Sequence, residues 1–186
     1  MNEGRRHFLA LLAGALASPA LAGESASRPT AYAFAFKRLD GETIALAAYA
    51  GKPILVVNVA SLCGYTPQYT GLEELWTRYR ERGLTVIGVP SNDFFQEPGG
   101  ADEIEATAHQ YRVDFPLTEK VSVKGTGAHP FYKWAALEKP LDTPRWNFHK
   151  YLVGRDGYIA AAFATAVEPL DARLIAAIEK ELAKTA

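Results

Sequence analysis

Alternation opens the patterned part of the chain. Tyr32, Phe34 and Phe36 occupy every second position, Asp40-Gly41 supplies turn chemistry, and an extended pattern resumes from Thr43 to Leu46. Together these predict a β-hairpin at the N-terminal end of the fold. The pattern changes after Pro53, where Ile54-Leu55-Val56-Val57-Asn58-Val59-Ala60 is almost wholly apolar and rich in β-branched residues. Such a run is the mark of a strand covered on both faces. Beyond the turn Ser61 to Pro67, the residues Tyr69, Leu72, Leu75, Trp76 and Tyr79 recur at helical spacing, and Gly83 stands where that helix would stop. Leu84 to Val89 reads as a second buried strand. A strand-helix-strand succession predicts a parallel pair with a right-handed crossover, and hence an α/β sheet flanked by helices.

The remainder of the chain continues in the same style. Residues 101–112 predict a helix with Ile104, Ala108 and Tyr111 inward, and Phe115 to Val123 reads as extended or irregular. Helical spacing returns at Phe131, Trp134, Ala135 and Leu137, followed by a short connection from Glu138 to Arg145. Trp146 to Val153 and Tyr158 to Phe163 flank Arg155-Asp156-Gly157, which signals a hairpin, and Leu170 to Ala183 closes the chain as an amphipathic helix. No internal repeat interrupts the series.

With 186 residues and 48% hydrophobic content, the chain is of a size to form one domain around a continuous core. The charge is nearly balanced, 20 Lys and Arg against 21 Asp and Glu, without a basic tract. Nucleic-acid binding has no support in that distribution. The first residues have a different character. Arg5-Arg6 stands in a short polar head, Phe8 to Leu16 is apolar, and small residues lead to Ala20-Leu21-Ala22. This predicts an export signal over residues 1–22, cleaved after Ala22. Its apolar run is shorter than the roughly 20 residues a membrane crossing needs, so no stable membrane insertion is expected after cleavage. The stretch Arg5-Arg6-His7-Phe8-Leu9 resembles a twin-arginine signal, which implies periplasmic delivery. Residues 23–31 are small and polar and read as a flexible lead-in, leaving 32–186 as the domain.

Exported proteins ordinarily use cysteines in pairs, yet this chain has one, Cys63. A lone cysteine is either a small buried hydrophobe or a chemical tool. Its position favours the second. Cys63 follows the C-terminal end of the predicted central strand and precedes the helix that Pro67 helps to start. Reacting groups in open α/β sheets collect at the carboxyl ends of strands, and a helix N-terminus favours thiolate over thiol. Gly64 beside it leaves room for an approaching substrate.

The stretch Asn58-Val59-Ala60-Ser61-Leu62-Cys63-Gly64-Tyr65-Thr66-Pro67-Gln68-Tyr69 resembles the signature around the peroxidatic residue of the glutathione peroxidase family. Two further blocks follow in the family's order: Pro90-Ser91-Asn92-Asp93-Phe94-Phe95-Gln96-Glu97-Pro98-Gly99 and Trp146-Asn147-Phe148-His149-Lys150-Tyr151-Leu152-Val153. The resemblance extends from about Tyr32 to the C-terminus. It implies a thioredoxin-like fold with a central mixed sheet, and a catalytic tetrad falling on Cys63, Gln96, Trp146 and Asn147. It also implies no prosthetic cofactor, with glutathione or another thiol as reducing co-substrate. The Phe94-Phe95-Gln96 stretch is one residue shorter than the family's usual spacing, and Phe95 stands where glycines are common. Cysteine-type members often carry a resolving cysteine where this chain has Ala108, and Ser91 replaces another common cysteine. The resolving thiol is therefore expected from outside the chain, from glutathione or a thioredoxin-like partner. The short 138–145 connection, compared with the insertion of tetrameric members, implies a monomer.

The residue types suit the chemistry. A thiolate attacking a peroxide needs donors around the sulfur and the leaving oxygen, while a tightly bound cation would blunt the nucleophile. The amides of Gln96 and Asn147 and the indole N–H of Trp146 donate without full charge. Taken singly, Trp146 would read as core and the two amides as turn or cap residues; only their company with the cysteine block makes them a site. The activity expected is reduction of hydrogen peroxide or organic hydroperoxides through a Cys63 sulfenic acid. The alternative is an exported thioredoxin-fold redox sensor that relays oxidation to a partner protein. Metal delivery would want a second cysteine near Cys63, where Thr66 and Pro67 stand. The scattered His7, His109, His129 and His149 predict no metal site.

Overall fold

The computed structural model describes residues 28–184. The expected export signal and residues 23–27 of the lead-in lie outside that span. Residues 28–31 are already part of the packed body: Arg28 pairs with Glu138 at 2.7 Å, Pro29 O accepts the Trp134 indole N–H, and Ala31 N–H donates to Gly157 O.

A hairpin comes first, β1 (Ala35–Lys37) against β2 (Thr43–Ala45), antiparallel with Phe36 opposite Ile44. Both of these central residues are buried and their neighbours exposed, which is the alternation the sequence displays. Tyr32 lies outside the hairpin, in a 3₁₀ turn over Ala31–Ala33, because its hydroxyl is drawn to Arg155 O at 2.7 Å.

The main sheet has four strands in the order β4-β3-β5-β6, comprising β3 (Ile54–Val59), β4 (Thr85–Pro90), β5 (Lys150–Val153) and β6 (Ile159–Phe163). β3 runs parallel to β4 and antiparallel to β5, and β6 is antiparallel to β5, so the sheet is mixed. Every residue of β3 is buried. Ile54 and Val56 meet Phe131, Trp134 and the hairpin's Phe36 on one face, whereas Leu55, Val57 and Val59 meet Leu72, Leu75, Leu174 and Ile178 on the other. Burial of both faces explains why the alternation vanishes from this strand in the sequence.

Four helices complete the layers: α1 (Gln68–Tyr79), α2 (Ala101–Gln110), α3 (Pro130–Glu138) and α4 (Ala172–Leu182). α1 has no side-chain cap, whereas each of the other three begins with a definable device. The Glu103 carboxylate reaches back to Gly100 N–H, His129 accepts Phe131 N–H, and Asp171 accepts Arg173 N–H. The stop after α1 passes through a 3₁₀ turn to Gly83 at φ 107°, the left-handed conformation that glycine adopts at little cost. Residues 115–123 form no strand of their own; single bridges from Leu117 to Gly88 and from Thr118 to Arg38 tie β4 to the hairpin.

Two expectations are revised. Leu137 lies on α3 but is 82% exposed rather than inward. Residues 146–149 are a turn, not the start of a strand, because Phe148 takes a φ of 61° and β5 begins only at Lys150.

Candidate active site

Cys63 lies in the loop between β3 and α1, where the sequence places it, and is 6% exposed beside the 67%-exposed Leu62. Three sets of bonds fix this loop. Thr66 Oγ1 accepts Cys63 N–H at 3.1 Å and donates to Ala60 O at 2.8 Å. The Glu97 carboxylate accepts both Ser61 N–H, at 2.7 Å, and the Ser61 hydroxyl, at 2.9 Å. Leu62 N–H donates to Gln96 O at 3.0 Å. The segment before the sulfur is therefore held from one side by its own helix lead-in and from the other by the 92–97 turn.

The sulfur accepts a hydrogen bond from Tyr65 N–H at 3.4 Å. This refines the expectation that the helix N-terminus itself faces the sulfur. α1 starts five residues later, and the N–H groups of Gln68, Tyr69 and Thr70 are spent on the carbonyls of Tyr65, Thr66 and Pro67. The donor nearest the sulfur comes from the tight turn ahead of the helix.

Gln96 and Asn147 meet directly, Asn147 Nδ2 donating to Gln96 Oε1 at 3.0 Å. Asn147 is fully buried; its backbone carbonyl accepts the Thr165 hydroxyl at 2.7 Å, and its Oδ1 has no partner among the described residues. Trp146 is 41% exposed, its ring tilted against Phe94 with centroids 5.6 Å apart. Its backbone carbonyl accepts Asn58 Nδ2 at 3.1 Å, which ties the turn to β3. Of the four expected site residues, the fold thus joins Gln96 and Asn147 side chain to side chain and Gln96 to the cysteine loop through the backbone. No hydrogen bond runs from the Gln96, Trp146 or Asn147 side chain to Cys63 Sγ in this arrangement. Phe95, at φ 60° and 88% exposed, occupies the left-handed conformation. Glycine would adopt that conformation at little cost, whereas a phenylalanine there is strained.

Sequence reasoning passed over three supporting residues. Glu97 clamps Ser61 although burial pushes its pKa up; the Ser61 bonds and the charge of Lys120 pull the other way. Lys150 is fully buried, its ammonium donating to Gln68 Oε1 and Phe148 O, each at 2.7 Å. Burial pushes its pKa down to about 7, and the Glu168 carboxylate opposes that shift. Gln68 passes the connection on, donating to Thr165 O at 2.8 Å. A ring of bonds through Lys150, Gln68, Thr165 and Asn147 therefore locks the Asn147-Phe148 turn to the first residue of α1. A lysine inside the apolar run of β5 was the signal available in the sequence. Among the described residues, no cluster of His, Cys, Asp or Glu could hold a metal ion.

A single clamped cysteine at the carboxyl end of a central strand, with two neutral amides paired beside its loop, defines a thiol-based redox protein of thioredoxin-like architecture. Residues 31–136 match the sequence profile of the glutathione peroxidase family, and the chain belongs to that family. A hydroperoxy fatty acid reductase, gpx1, of Synechocystis sp. is 42% identical over 164 residues, covering 82% of this chain and 96% of the relative. The crystal structure of Trgpx in apo form superposes with a TM-score of 0.69 at 31% identity, covering 86% of this chain and 99% of that one. A thiol:disulfide interchange protein of the thioredoxin family from Chlorobium tepidum superposes at 0.62 over 80% of this chain and 92% of its own, at 14% identity. That last likeness shows the shared fold alone. The protein is accordingly a thiol-dependent peroxidase, using a thiol co-substrate rather than a prosthetic group.

Proposed function

We propose that Cys63 reduces organic hydroperoxides in preference to hydrogen peroxide, and that its oxidised form is resolved by a thiol from outside the chain. The thiolate attacks the distal peroxide oxygen, the O–O bond breaks, and the departing oxygen takes a proton to leave as alcohol, giving the sulfenic acid. A first thiol condenses with the sulfenic acid, releasing water and forming a mixed disulfide; a second thiol displaces Cys63 and carries off the oxidised pair. Gln96, Asn147 and Trp146 supply the neutral donors around the sulfur and the leaving oxygen. The clamped Cys63 loop beside the Gln96–Asn147 pair is the observation that carries this reading.

The preference for organic substrates rests on the rim. Leu62, Phe95 and Trp146 are all exposed around the cysteine loop, an apolar border that a small polar peroxide does not need. The name of the Synechocystis relative, a hydroperoxy fatty acid reductase, supports the same substrate class. The protein acts as a monomer in the periplasm, reached through the Arg5-Arg6 signal.

Peroxide consumption by the mature protein, with glutathione and then with a thioredoxin system, tests the activity. Cys63→Ser should abolish it while leaving the fold intact; full activity in that variant would sink the mechanism. Replacing Arg5 and Arg6 by lysine should block export, and continued periplasmic delivery would refute the twin-arginine route.

A further inference from the structure

Between α3 and the 138–145 connection lies a groove of about 390 Å³. Its walls are apolar, contributed by Ala128, Tyr132, Ala136, Leu137 and Pro144. Leu137 leaves 82% of its surface uncovered, and Tyr132, itself 2% exposed, has a hydroxyl without a partner among the described residues. Lys124 and Lys133 also line the groove, both exposed, and neither forms an ion pair with a described residue. A short chain of aromatic contacts leads from the groove to Trp146: the Lys124 ammonium sits 4.4 Å from the centre of the Phe94 ring, and Phe94 packs on Trp146. Pro144 is two residues from that tryptophan.

We propose that this groove binds one arm of a long-chain fatty-acid hydroperoxide, its hydrocarbon along the α3 wall and its free carboxylate against Lys124 and Lys133. An apolar trough with two unpaired cations calls for a ligand that is both oily and anionic. Hydrogen peroxide is neither. A neutral lipid would leave the cations unused, and the esterified chain of a phospholipid would lack the carboxylate. Burial of Leu137 by the chain supplies the apolar contribution, and the lysines select the free acid over its ester. This inference rests on the peroxidase reading for its chemistry, but the groove can be tested without turnover.

Oleate titrated into the Cys63→Ser protein, followed by tryptophan fluorescence, reads binding directly; oleyl alcohol is the uncharged control. Oleate should bind, oleyl alcohol should bind at least about tenfold more weakly, and Ala136→Trp, which fills the groove, should remove both. In the active protein, Lys124→Glu with Lys133→Glu should raise the KM for linoleic acid hydroperoxide about tenfold. The same double change should leave kcat, the methyl ester and hydrogen peroxide unaffected. Absence of oleate binding, equal binding of the alcohol, or a parallel loss with hydrogen peroxide would each overturn the proposal. If the unmodified protein reduced no peroxide yet bound oleate in a manner abolished by Ala136→Trp, the peroxidase reading would fall and the groove would stand.

Discussion

Asn147 and Gln96, 51 positions apart in sequence, are joined by a 3.0 Å bond in which the asparagine amide donates to the glutamine oxygen. The direction of this bond matters. It occupies the acceptor end of Gln96 and leaves the glutamine NH₂ as the group free to donate, while the buried Asn147 is held in turn by Thr165. The pair is one donor unit rather than two independent residues.

Coupling between the two is the first expected outcome. Gln96→Ala should slow Cys63 oxidation by about 100-fold, the scale of losing a positioned donor. Asn147→Ala should do nearly the same, because it releases the glutamine as well as removing its own amide. The double variant should fall well short of the product of the two losses, measured as the second-order oxidation rate by stopped flow. Strict multiplicativity would show that they act separately.

Trp146 offers a separation of donor from packing. Phe in its place retains a ring against Phe94 but loses the indole N–H. Because the side chain is 41% exposed, stability should change by no more than about 0.5 kcal/mol. Oxidation should nonetheless slow, and an unchanged rate would remove Trp146 from the proposed role.

These residues also show what the sequence could and could not disclose. β3 and α1 were legible because their apolar periods differ and because both lie under other layers, so the pattern survives folding unaltered. The 146–149 turn was not, since its conformation depends on the Phe148 backbone and on the buried ammonium of Lys150, a contact 82 residues away from Gln68. Likewise, Cys63, Gln96, Trp146 and Asn147 could be picked out by block, but their contacts could not. Nothing in the sequence marks Glu97 as the carboxylate that holds Ser61, and Leu137 matches a helical period yet lines the groove rather than the core.

His149 should impose an acid limit on stability. Its ring packs edge-on against Tyr151, its Nε2 is buried without a partner, and burial pushes its pKa down to about 4. In the unfolded chain the group titrates near its ordinary value of about 6.5. Between those two values the unfolded chain binds a proton that the folded protein refuses. The contribution present above pH 6.5 is thus lost as pH falls toward 4, in total about 3 kcal/mol. Urea unfolding at pH 7 and pH 4.5 should show this loss in the unmodified protein and a smaller one in His149→Phe. Equal pH dependence in the two would rule out His149 as its source.

The route by which oxidised Cys63 returns to the thiol follows from the cysteine count. Cys63 is the only cysteine in the sequence, and α2 presents Ala108 where a resolving cysteine would be expected, so no intramolecular disulfide can form. Sulfenic acid must persist until an outside thiol condenses with it at the clamped, 6%-exposed position of Cys63. Stoichiometric hydroperoxide should therefore give a protein one oxygen heavier, stable on the timescale of intact-mass measurement when peroxide is not in excess. Added glutathione should convert that species to a glutathione adduct, and a further equivalent should restore the original mass with release of glutathione disulfide. A protein that gains oxygen but ignores glutathione while reacting with a thioredoxin-like donor would reassign the reductant and leave the peroxidase chemistry in place. Persistent, stable cross-linking of oxidised Cys63 to one partner protein, with no turnover by any small thiol, would favour the redox-relay alternative. A folded protein whose mass stays unchanged after stoichiometric peroxide would make Cys63 a structural residue, and the proposed mechanism would fail with it.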